Sequence, residues 1–263
     1  MPLGLGSNLS RAISKPITPG IVTDSLVLKH QYNAGSVVPC SDGAAFFDGI
    51  DDYVVMSSNV FTSATTYTVG CWINYLTKDS YDWLFGTNAT TKNFGINRSS
   101  THIFYREEDG GYYSFGSNSN LPLNTWKHLV FASDSSKIDC YIDGALLGTI
   151  TVDSTDSIDG SQDNNDHLES TKFTFKTFGA GYASGGSFNY HTNCYLANVF
   201  AYSSCLTQPQ IKSIMNKNYA GLTDSEKTNL VSWWNLDVET NTSGESGTGG
   251  VKDHHGSNHG TLS

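Results

Sequence analysis

The segment Tyr67–Leu76, with the sequence YTVGCWINYL, limits the possible folds more than any other part of the chain. Side chains of a β-strand alternate between its two faces. Cys71 and Ile73 therefore share one apolar face, and Trp72 lies on the other. A strand that is apolar on both faces is typical of the centre of a layered β-protein. We therefore expect both of its faces to be covered, as in a two-sheet sandwich.

Other short strand-like segments, bounded by turn residues, recur along the chain. They are Ala44–Phe47, Tyr53–Ser57, Trp83–Thr87, Asn93–Asn97, His102–Arg106, Tyr112–Gly116, Thr125–Ser133, Lys137–Ile142, Ala145–Val152, Lys172–Phe178 and Cys194–Ser203. One segment, Gln208–Asn218, has apolar residues at clear helical spacing, with Thr207 as its expected N-cap. The pattern predicts an all-β fold: a two-sheet antiparallel jelly-roll sandwich with one short helix.

The composition agrees with this fold and narrows the function. Aromatic residues make up 12% of the chain and charged residues 15%, and 26 glycines suit tight turns. The formal net charge of −10 argues against a nucleic-acid partner, which needs a basic surface. The five cysteines are odd in number and form no C-x-x-C pair, which argues against a disulfide framework. Because no apolar stretch suits a signal peptide or a membrane span, we expect a soluble chain folded in a reducing cytoplasm.

Four blocks of the sequence resemble the laminin-G-like, or concanavalin A-like, domain family. They are Phe47–Tyr53 (FDGIDDY), Tyr67–Ile73 (YTVGCWI), Trp126–Phe131 (WKHLVF) with Cys140–Gly144 (CYIDG), and Phe178–Gly181 with Tyr195–Leu206. Each block alone is a weak signal, but their joint spacing is specific. The resemblance covers the chain from about Ala44 to Gly221 and implies the same jelly-roll sandwich.

Two motifs of this family occur in reversed order. The motif that the family normally places first is similar to Leu230–Leu262, and the motif that normally follows is similar to Ala44–Val55. The C-terminal segment either begins a second domain or supplies the missing first strands of this one. An exposed strand carrying Trp233 and Leu236 is an aggregation hazard, whereas a sandwich with neighbouring termini tolerates permutation.

We therefore predict a sandwich domain at 41–263, preceded by an extended arm at 1–40. Segment 230–262 is expected to close the domain as a permuted first strand. In that arrangement Trp233, Leu236 and Leu262 pack beside the strands of Phe47–Val55.

The resemblance also implies a calcium site, from which this chain departs. The family strand that usually carries an acidic pair is Leu196–Ala201 (LANVFA) here. Four other carboxylates are candidate hard-oxygen ligands for Ca²⁺: Asp48, Asp51, Asp52 and Asp253. The alternative is that each of them ties a turn to its own backbone. No other cofactor is expected.

Patterns typical of catalysis are missing from the sequence. A retaining glycosidase needs two carboxylates about 5–5.5 Å apart, and laminarinase-like relatives carry an E-x-D-x-x-E strand that this chain lacks. A polysaccharide lyase needs Tyr, His and a basic residue in register, and the chain has only three arginines. We predict that the protein is not an enzyme.

Aromatic residues in predicted turns are better candidates for binding. Flat rings beside short polar groups stack on sugar faces and bond to sugar hydroxyls. The same rings suit a protein–protein interface. Trp83, in contrast, is expected in the core because its strand continues with Leu84 and Phe85. The candidate carbohydrate- or partner-binding residues are Tyr112, Tyr113, Tyr182, Phe188 and Tyr190.

The N-terminal region carries a second resemblance. Gly4–Ser10, Ile21–Tyr32 and Ser41–Tyr53 resemble segments of structural proteins of marine tailed bacteriophages. This implies a virion protein, a capsid decoration or a tail-fibre component, assembled in the host cytoplasm and attached to other virion proteins through the arm. It also implies a homo-oligomer whose loops contact host-surface glycans. The competing interpretation is a secreted or cell-surface carbohydrate-binding or adhesin module.

Overall fold

The computed structural model describes residues 43–78, 81–87, 93–98, 102–106, 112–152, 168, 170–182, 188–237 and 250–262. The arm predicted at 1–40 lies outside these residues. In chain order the elements are β1 (Ala45–Asp48), β2 (Val54–Met56), β3 (Phe61–Ala64), β4 (Tyr67–Tyr75), β5 (Asp82–Gly86), β6 (Asn93–Arg98), β7 (His102–Arg106), β8 (Tyr112–Ser117), β9 (Trp126–Asp134), β10 (Lys137–Ile142), β11 (Ala145–Thr151), β12 (Phe173–Phe175), β13 (Thr177–Phe178), β14 (Gly181–Tyr182), β15 (Phe188–Asn189), β16 (Asn193–Tyr202), the helix α1 (Gln208–Ile214), β17 (Leu230–Trp234), β18 (Gly250–Val251) and β19 (Gly260–Leu262).

Most of the strands belong to two antiparallel sheets. The first sheet has the order β1-β16-β4-β9-β10-β11, and β17 also pairs with β16. The second sheet has the order β18-β19-β2-β13-β5-β6-β7-β8. Two short pairs, β3 with β12 and β14 with β15, complete the set. The predicted all-β antiparallel sandwich is confirmed, and its architecture is that of a jelly roll.

The core between the two sheets is built largely from aromatic rings. Phe94 of the second sheet stacks on Phe131 of the first, with ring centroids 4.3 Å apart. Phe85 presents its edge to Phe131 at 6.4 Å. All three side chains are fully buried. Burying a side chain of this kind stabilises a fold by about 1.5–3 kcal/mol, so this layer is a main source of the sandwich's stability.

A second apolar layer explains why β4 is buried on both faces. On the outer face of the first sheet, Ile211 and Ile214 of α1 belong to a buried cluster with Phe200 and Trp233. The helix therefore covers this face, while the second sheet covers the other. The prediction of a strand apolar on both sides is confirmed, since β4 is buried along its whole length.

The helix begins where the sequence predicts and ends earlier. The backbone N–H of Thr207 donates to the side-chain oxygen of Gln210 at 2.8 Å, a capping interaction that fixes the first turn. The helix ends at Ile214 rather than at Asn218. The side chain of Asn218 instead caps a short 3₁₀ turn at Tyr219–Gly221, accepting from the backbone N–H of Gly221.

The C-terminal segment pairs with strands of both sheets of the same chain. β17 pairs with the part of β16 from Val199 to Tyr202, and β1 pairs with the part from Asn193 to Leu196. The other edge of β16 is occupied by β4. β1 and β17 therefore lie end to end along one edge of β16. In the second sheet, β19 pairs with β2.

The packing of this segment differs from the sequence-based expectation. Trp234 enters the core, with its ring centroid 5.6 Å from that of Phe178. Trp233 lies on the opposite face, nearly parallel to Phe200 at 5.2 Å. The prediction that Trp233 packs beside the Phe47–Val55 strands is wrong, because its neighbour Trp234 takes the inward position. Leu262 pairs with Val54 through its backbone, but its side chain is 41% exposed.

Four of the five cysteines lie among the described residues. Cys71, Cys140, Cys194 and Cys205 carry free thiols. Burial raises the pKa of the Cys71 thiol well above its usual range, which keeps it protonated and unreactive. Within the described residues, no helix has the length and apolar character needed to cross a membrane.

Candidate functional site

Strand register places a group of large side chains on the outer face of the second sheet. Residues directly opposite each other in an antiparallel pair share a face of the sheet. Trp83, Gly95 and Phe104 are opposite one another on β5, β6 and β7. Arg106 is opposite Tyr112 of β8. The neighbouring row faces the core and consists of Phe85, Phe94, Tyr105 and Tyr113.

Five of these outer residues and their neighbours form what we call the aromatic patch: Tyr81, Trp83, Arg106, Tyr112 and Tyr190. Tyr190 is 40% exposed, and its ring stacks on that of Trp83 at 5.2 Å with an interplanar angle of 18°. Tyr81 contacts the rings of Tyr190 at 5.4 Å and Tyr112 at 6.2 Å. The Arg106 guanidinium carbon lies 5.2 Å from the Trp83 ring centroid and 5.5 Å from that of Tyr112, within cation–π range.

Backbone contacts hold Tyr190 against Trp83. The Trp83 backbone N–H donates to the Tyr190 carbonyl oxygen at 3.0 Å. Tyr190 has a positive φ of 59°, which is uncommon for a bulky residue. Gly181 packs against the Trp83 ring so closely that a Cβ at this position would overlap it. These contacts give the patch a fixed floor.

Trp83 is buried, at 1% exposure, as its neighbours in sequence suggested. Its ring, however, packs in the aromatic patch and is not part of the core cluster between the sheets. Its indole Nε1 is shielded, with no hydrogen-bond partner in the part of the chain that the structure describes. This N–H group is therefore a donor that a ligand at the patch can use.

The structure separates the aromatic residues that the sequence grouped together. Tyr112 and Tyr190 meet in the aromatic patch. Tyr113 is 6% exposed and belongs to the core. Its predicted surface role is corrected: because β8 alternates, an outward Tyr112 requires an inward Tyr113. Phe188 lies in a separate pair, stacked on Tyr53 at 4.2 Å. The backbone of Tyr182 pairs with that of Phe188, and its side chain lies outside the described part of the structure.

Sequence reasoning missed Arg106 as a site residue and placed it only at the end of the predicted strand His102–Arg106. The available signal was alternation: Phe104 and Arg106 are two residues apart on one strand and so share a face. Placing them on the outer face required knowing that Tyr105 points into the core.

Three of the four predicted calcium ligands come together in the turn after β1. Asp48, Asp51 and Asp52 present ligand atoms within 4.8 Å of one another. The Asp48 carboxylate accepts the backbone N–H of Ile50 at 2.7 Å, and the Asp52 carboxylate accepts that of Asp48 at 2.9 Å. The hydrogen bond from Ile50 is the main reason that the pKa of Asp48 is lowered. The turn thus concentrates negative charge at one end of the sandwich.

One further oxygen lies beside this acidic turn. Asn193 is opposite Asp48 in the β1–β16 pair, and its side chain packs against Gly49. Its Oδ1 is shielded from solvent and accepts no hydrogen bond from the described residues. Carboxylate and carboxamide oxygens are the ligands that Ca²⁺ prefers. The donor set of Asp48, Asp51, Asp52 and Asn193 consists of hard oxygen ligands without His or Cys, and it therefore fits Ca²⁺.

Asp253 is not part of this group. It is 3% exposed, and its Oδ1 accepts the backbone N–H groups of Trp233, His255 and Gly256, each at 3.0 Å. Its Oδ2 accepts the backbone N–H of Asn258 at 3.1 Å. Three of these hydrogen bonds end on Oδ1 and one on Oδ2, and together they tie the 253–258 turn to β17. Among the described residues, Asp253 does not join the other three predicted calcium ligands.

Another carboxylate with several side-chain partners, Glu226, lies beside α1. Glu226 lines a pocket of about 640 Å³ and accepts from Lys217 at 2.6 and 2.7 Å and from Ser213 at 2.6 Å. Burial alone would raise its pKa, but these hydrogen bonds outweigh burial and lower it to about 2. A general acid needs a pKa near the working pH. Glu226 therefore has the properties of a structural ion pair.

The comparison with protein families fits this architecture. A family model described as the concanavalin A-like lectin/glucanases superfamily matches residues 48–212 of the 263-residue chain. The chain belongs to this superfamily. The resemblance carried by the four sequence blocks is thereby confirmed. The sequence has no significant match among curated proteins.

Comparison with solved structures finds a similar fold at low sequence identity. A candidate carbohydrate-binding protein from Bacteroides ovatus superposes with a TM-score of 0.59 at 17% identity, over 83% of this chain and 57% of that one. The chain thus spans little more than half the length of that protein. A heptameric SAP-like pentraxin from Limulus polyphemus gives a TM-score of 0.48 at 13% identity, over 65% of this chain and 80% of that one. At such identities the likeness concerns the fold alone.

Proposed function

We propose that this protein is a non-enzymatic carbohydrate-binding module that holds sugar at the aromatic patch. The observation that carries the proposal is the exposed Tyr190 ring stacked on Trp83, next to the Arg106 cation and Tyr112. The apolar C–H face of a pyranose packs on flat rings, and its hydroxyls bond to nearby polar groups. Membership of a lectin/glucanases superfamily and the description of the Bacteroides ovatus protein support this assignment.

Binding is a better assignment than hydrolysis on the chemistry of the described carboxylates. Hydrogen bonds hold the pKa of Glu226 below its usual value, whereas a glycosidase acid needs a raised pKa. Asp253 accepts four backbone N–H groups and ties a turn to β17. Ca²⁺ at the acidic turn is part of the proposal, held by Asp48, Asp51, Asp52 and Asn193.

The test is a comparison of Tyr190→Ala with wild type on a glycan array, followed by calorimetry on the best glycan. Loss of one aromatic contact of about 0.5–1.5 kcal/mol weakens binding by up to about tenfold. Tyr219→Ala is a matched control, because Tyr219 is a partly buried tyrosine in a different contact group, with His255 and Lys227. Equal affinities for wild type and Tyr190→Ala would refute the placement of the site.

We further propose that the module is part of a virion, as a capsid decoration or tail-fibre component that forms homo-oligomers. This proposal is supported by the phage-like segments Gly4–Ser10, Ile21–Tyr32 and Ser41–Tyr53. Deletion of 1–40 is expected to abolish incorporation into particles while the sandwich still folds. A secreted or cell-surface module is the alternative, and the superfamily accommodates it equally well. Mass spectrometry of purified virions distinguishes the two, since only the first predicts the chain among particle proteins.

A further inference from the structure

A second row of aromatic side chains crosses the outer face of the first sheet, on the opposite side of the sandwich from the aromatic patch. Register places Phe46, Tyr195, Asn74 and Trp126 opposite one another on β1, β16, β4 and β9. We call these four residues the cross-strand row. Phe46 is 49% exposed and its ring centroid lies 5.2 Å from that of Tyr195.

The row covers a buried amide. The ring centroids of Tyr195 and Trp126 are 6.4 Å apart, although β4 lies between their strands. The two rings therefore approach each other over Asn74, the β4 residue opposite both. This explains why Asn74 is only 4% exposed on a face that carries a half-exposed phenylalanine.

Two polar atoms in the cross-strand row have no partner. The Oδ1 of Asn74 accepts no hydrogen bond from the described residues. The Nε1–H of Trp126 is likewise shielded, and none of the described residues accepts from it. Buried polar groups in folded proteins are nearly always paired. An open acceptor and an open donor on adjacent, directly opposed residues therefore indicate a place for an external hydrogen-bonding group.

We propose that the cross-strand row is a second carbohydrate site, which takes a neutral hexopyranose. A hydroxyl group both donates and accepts, so one sugar hydroxyl placed between Asn74 and Trp126 satisfies both atoms. The rings of Phe46 and Tyr195 then supply an apolar surface for the C–H face of the sugar. Tyr195 and Trp126 are only partly buried, so their rings can part to admit the hydroxyl.

A neutral ligand fits the local charges. Lys127, next to Trp126 in sequence, has its ammonium paired with Asp143 at 2.6 Å. The four residues of the row carry no charge themselves. An acidic sugar would find no counter-charge within the row, whereas a neutral one needs none. Because this site lies on the opposite face from the aromatic patch, it can be tested independently of the proposed function. A chain with both sites would bind two sugars at once.

The test follows the indole N–H resonances of ¹⁵N-labelled protein during titration with the methyl glycosides of mannose, glucose and galactose. The chain has five tryptophans, and the variants Trp126→Phe and Trp83→Phe assign the two resonances that report on the two sites. A saturable shift of the Trp126 resonance with at least one glycoside is expected. Phe46→Ala and Asn74→Ala should each weaken that titration by about tenfold, whereas Tyr195→Phe, which keeps the ring, should not. Circular dichroism checks that each variant is folded.

A Trp126 resonance that none of the three glycosides moves overturns the second site, whatever Trp83 does. If the Trp83 resonance moves and the Trp126 resonance does not, the second site is refuted and the proposed function at the aromatic patch is supported. Asn74→Ala titrating like wild type also overturns the proposal, because the bridging hydroxyl would then have lost its acceptor without effect. If instead Asn74→Ala shifts the Trp126 resonance before any sugar is added and no glycoside moves it in wild type, the two atoms bond to each other and the site does not exist.

Discussion

Asp253 offers the sharpest test of how the C-terminal segment is held in place. Its carboxylate accepts four backbone N–H groups at 3.0 to 3.1 Å, from Trp233 of β17 and from the turn that follows Asp253 itself. Replacing it by alanine removes every one of these acceptors. The change leaves the core rings untouched, so any loss of stability comes from the turn and from its attachment to β17.

The loss of unfolding free energy in Asp253→Ala depends on which of the freed N–H groups can bond to water instead. Hydrogen bonds to a charged group contribute about 1.5–3 kcal/mol each. His255 and Gly256 are exposed, so water replaces the carboxylate there, but the N–H of Trp233 is buried and stays unpaired. We therefore expect Asp253→Ala to lower the free energy of unfolding by about 3–5 kcal/mol. Asp253→Asn keeps one acceptor oxygen and should lose about half as much.

Urea unfolding followed by tryptophan fluorescence measures the change, since Trp233 and Trp234 lie on the affected strand. Asp224→Ala is the control, an exposed aspartate for which a change within about 0.5 kcal/mol is expected. Repeating the series with EDTA separates anchoring from metal binding. A loss below about 1 kcal/mol for Asp253→Ala would refute the anchoring role, and a loss that disappears in EDTA would restore Asp253 as a metal ligand.

Three further predictions concern ionisable groups. The pKa of Glu226 is lowered from 4.5 to about 2, so its ion pair stabilises the fold above pH 4.5. This stabilisation is lost as the pH falls towards 2. Over this range, the urea midpoint of Glu226→Gln should therefore fall less steeply than that of wild type. Burial lowers the pKa of His128 from 6.5 to about 3, so unfolding is favoured as the pH falls from 6.5 to 3. NMR of the folded protein should find a neutral His128 ring within this range. A protonated ring would contradict the lowered pKa. Calorimetry with CaCl₂ should show binding that Asp51→Asn abolishes, and no binding by wild type would remove Ca²⁺ from the proposal.

The all-β fold could be predicted because the alternation of apolar and polar residues and the positions of turn residues locate the strands directly. The two apolar faces of β4 predicted that other elements pack on both sides of this strand. The reversed motifs predicted that the C-terminal segment supplies strands of this domain. What alternation does not reveal is which face points inward. Tyr112 and Tyr113 are identical side chains on adjacent positions, and only register with β7 assigns one to the patch and the other to the core.

Bulges are the physical reason that the patch itself escaped prediction. The β5–β6 pairing shifts between Trp83 and Phe85, and such an irregularity changes which residues share a face. Trp83 therefore turns outward although Leu84 and Phe85 both join the core. The aspartates posed a similar problem. Asp48 and Asp253 look alike in sequence, and only the positions of backbone N–H groups show that the Asp253 carboxylate joins a turn to β17.

The shared edge of β16 has a consequence for how the protein is made. Since β1 and β17 complete the same edge, a growing chain on the ribosome cannot finish the first sheet until Leu230–Trp234 has emerged. The second sheet also depends on residues far apart in the chain: the side chains of Ser58 and Asn258, which are 200 positions apart, form a hydrogen bond. Contacts so distant in sequence slow folding. Until Trp234 has emerged, its place in the core stays empty, so a polypeptide that ends before Leu230 leaves an open strand edge for another chain to pair with.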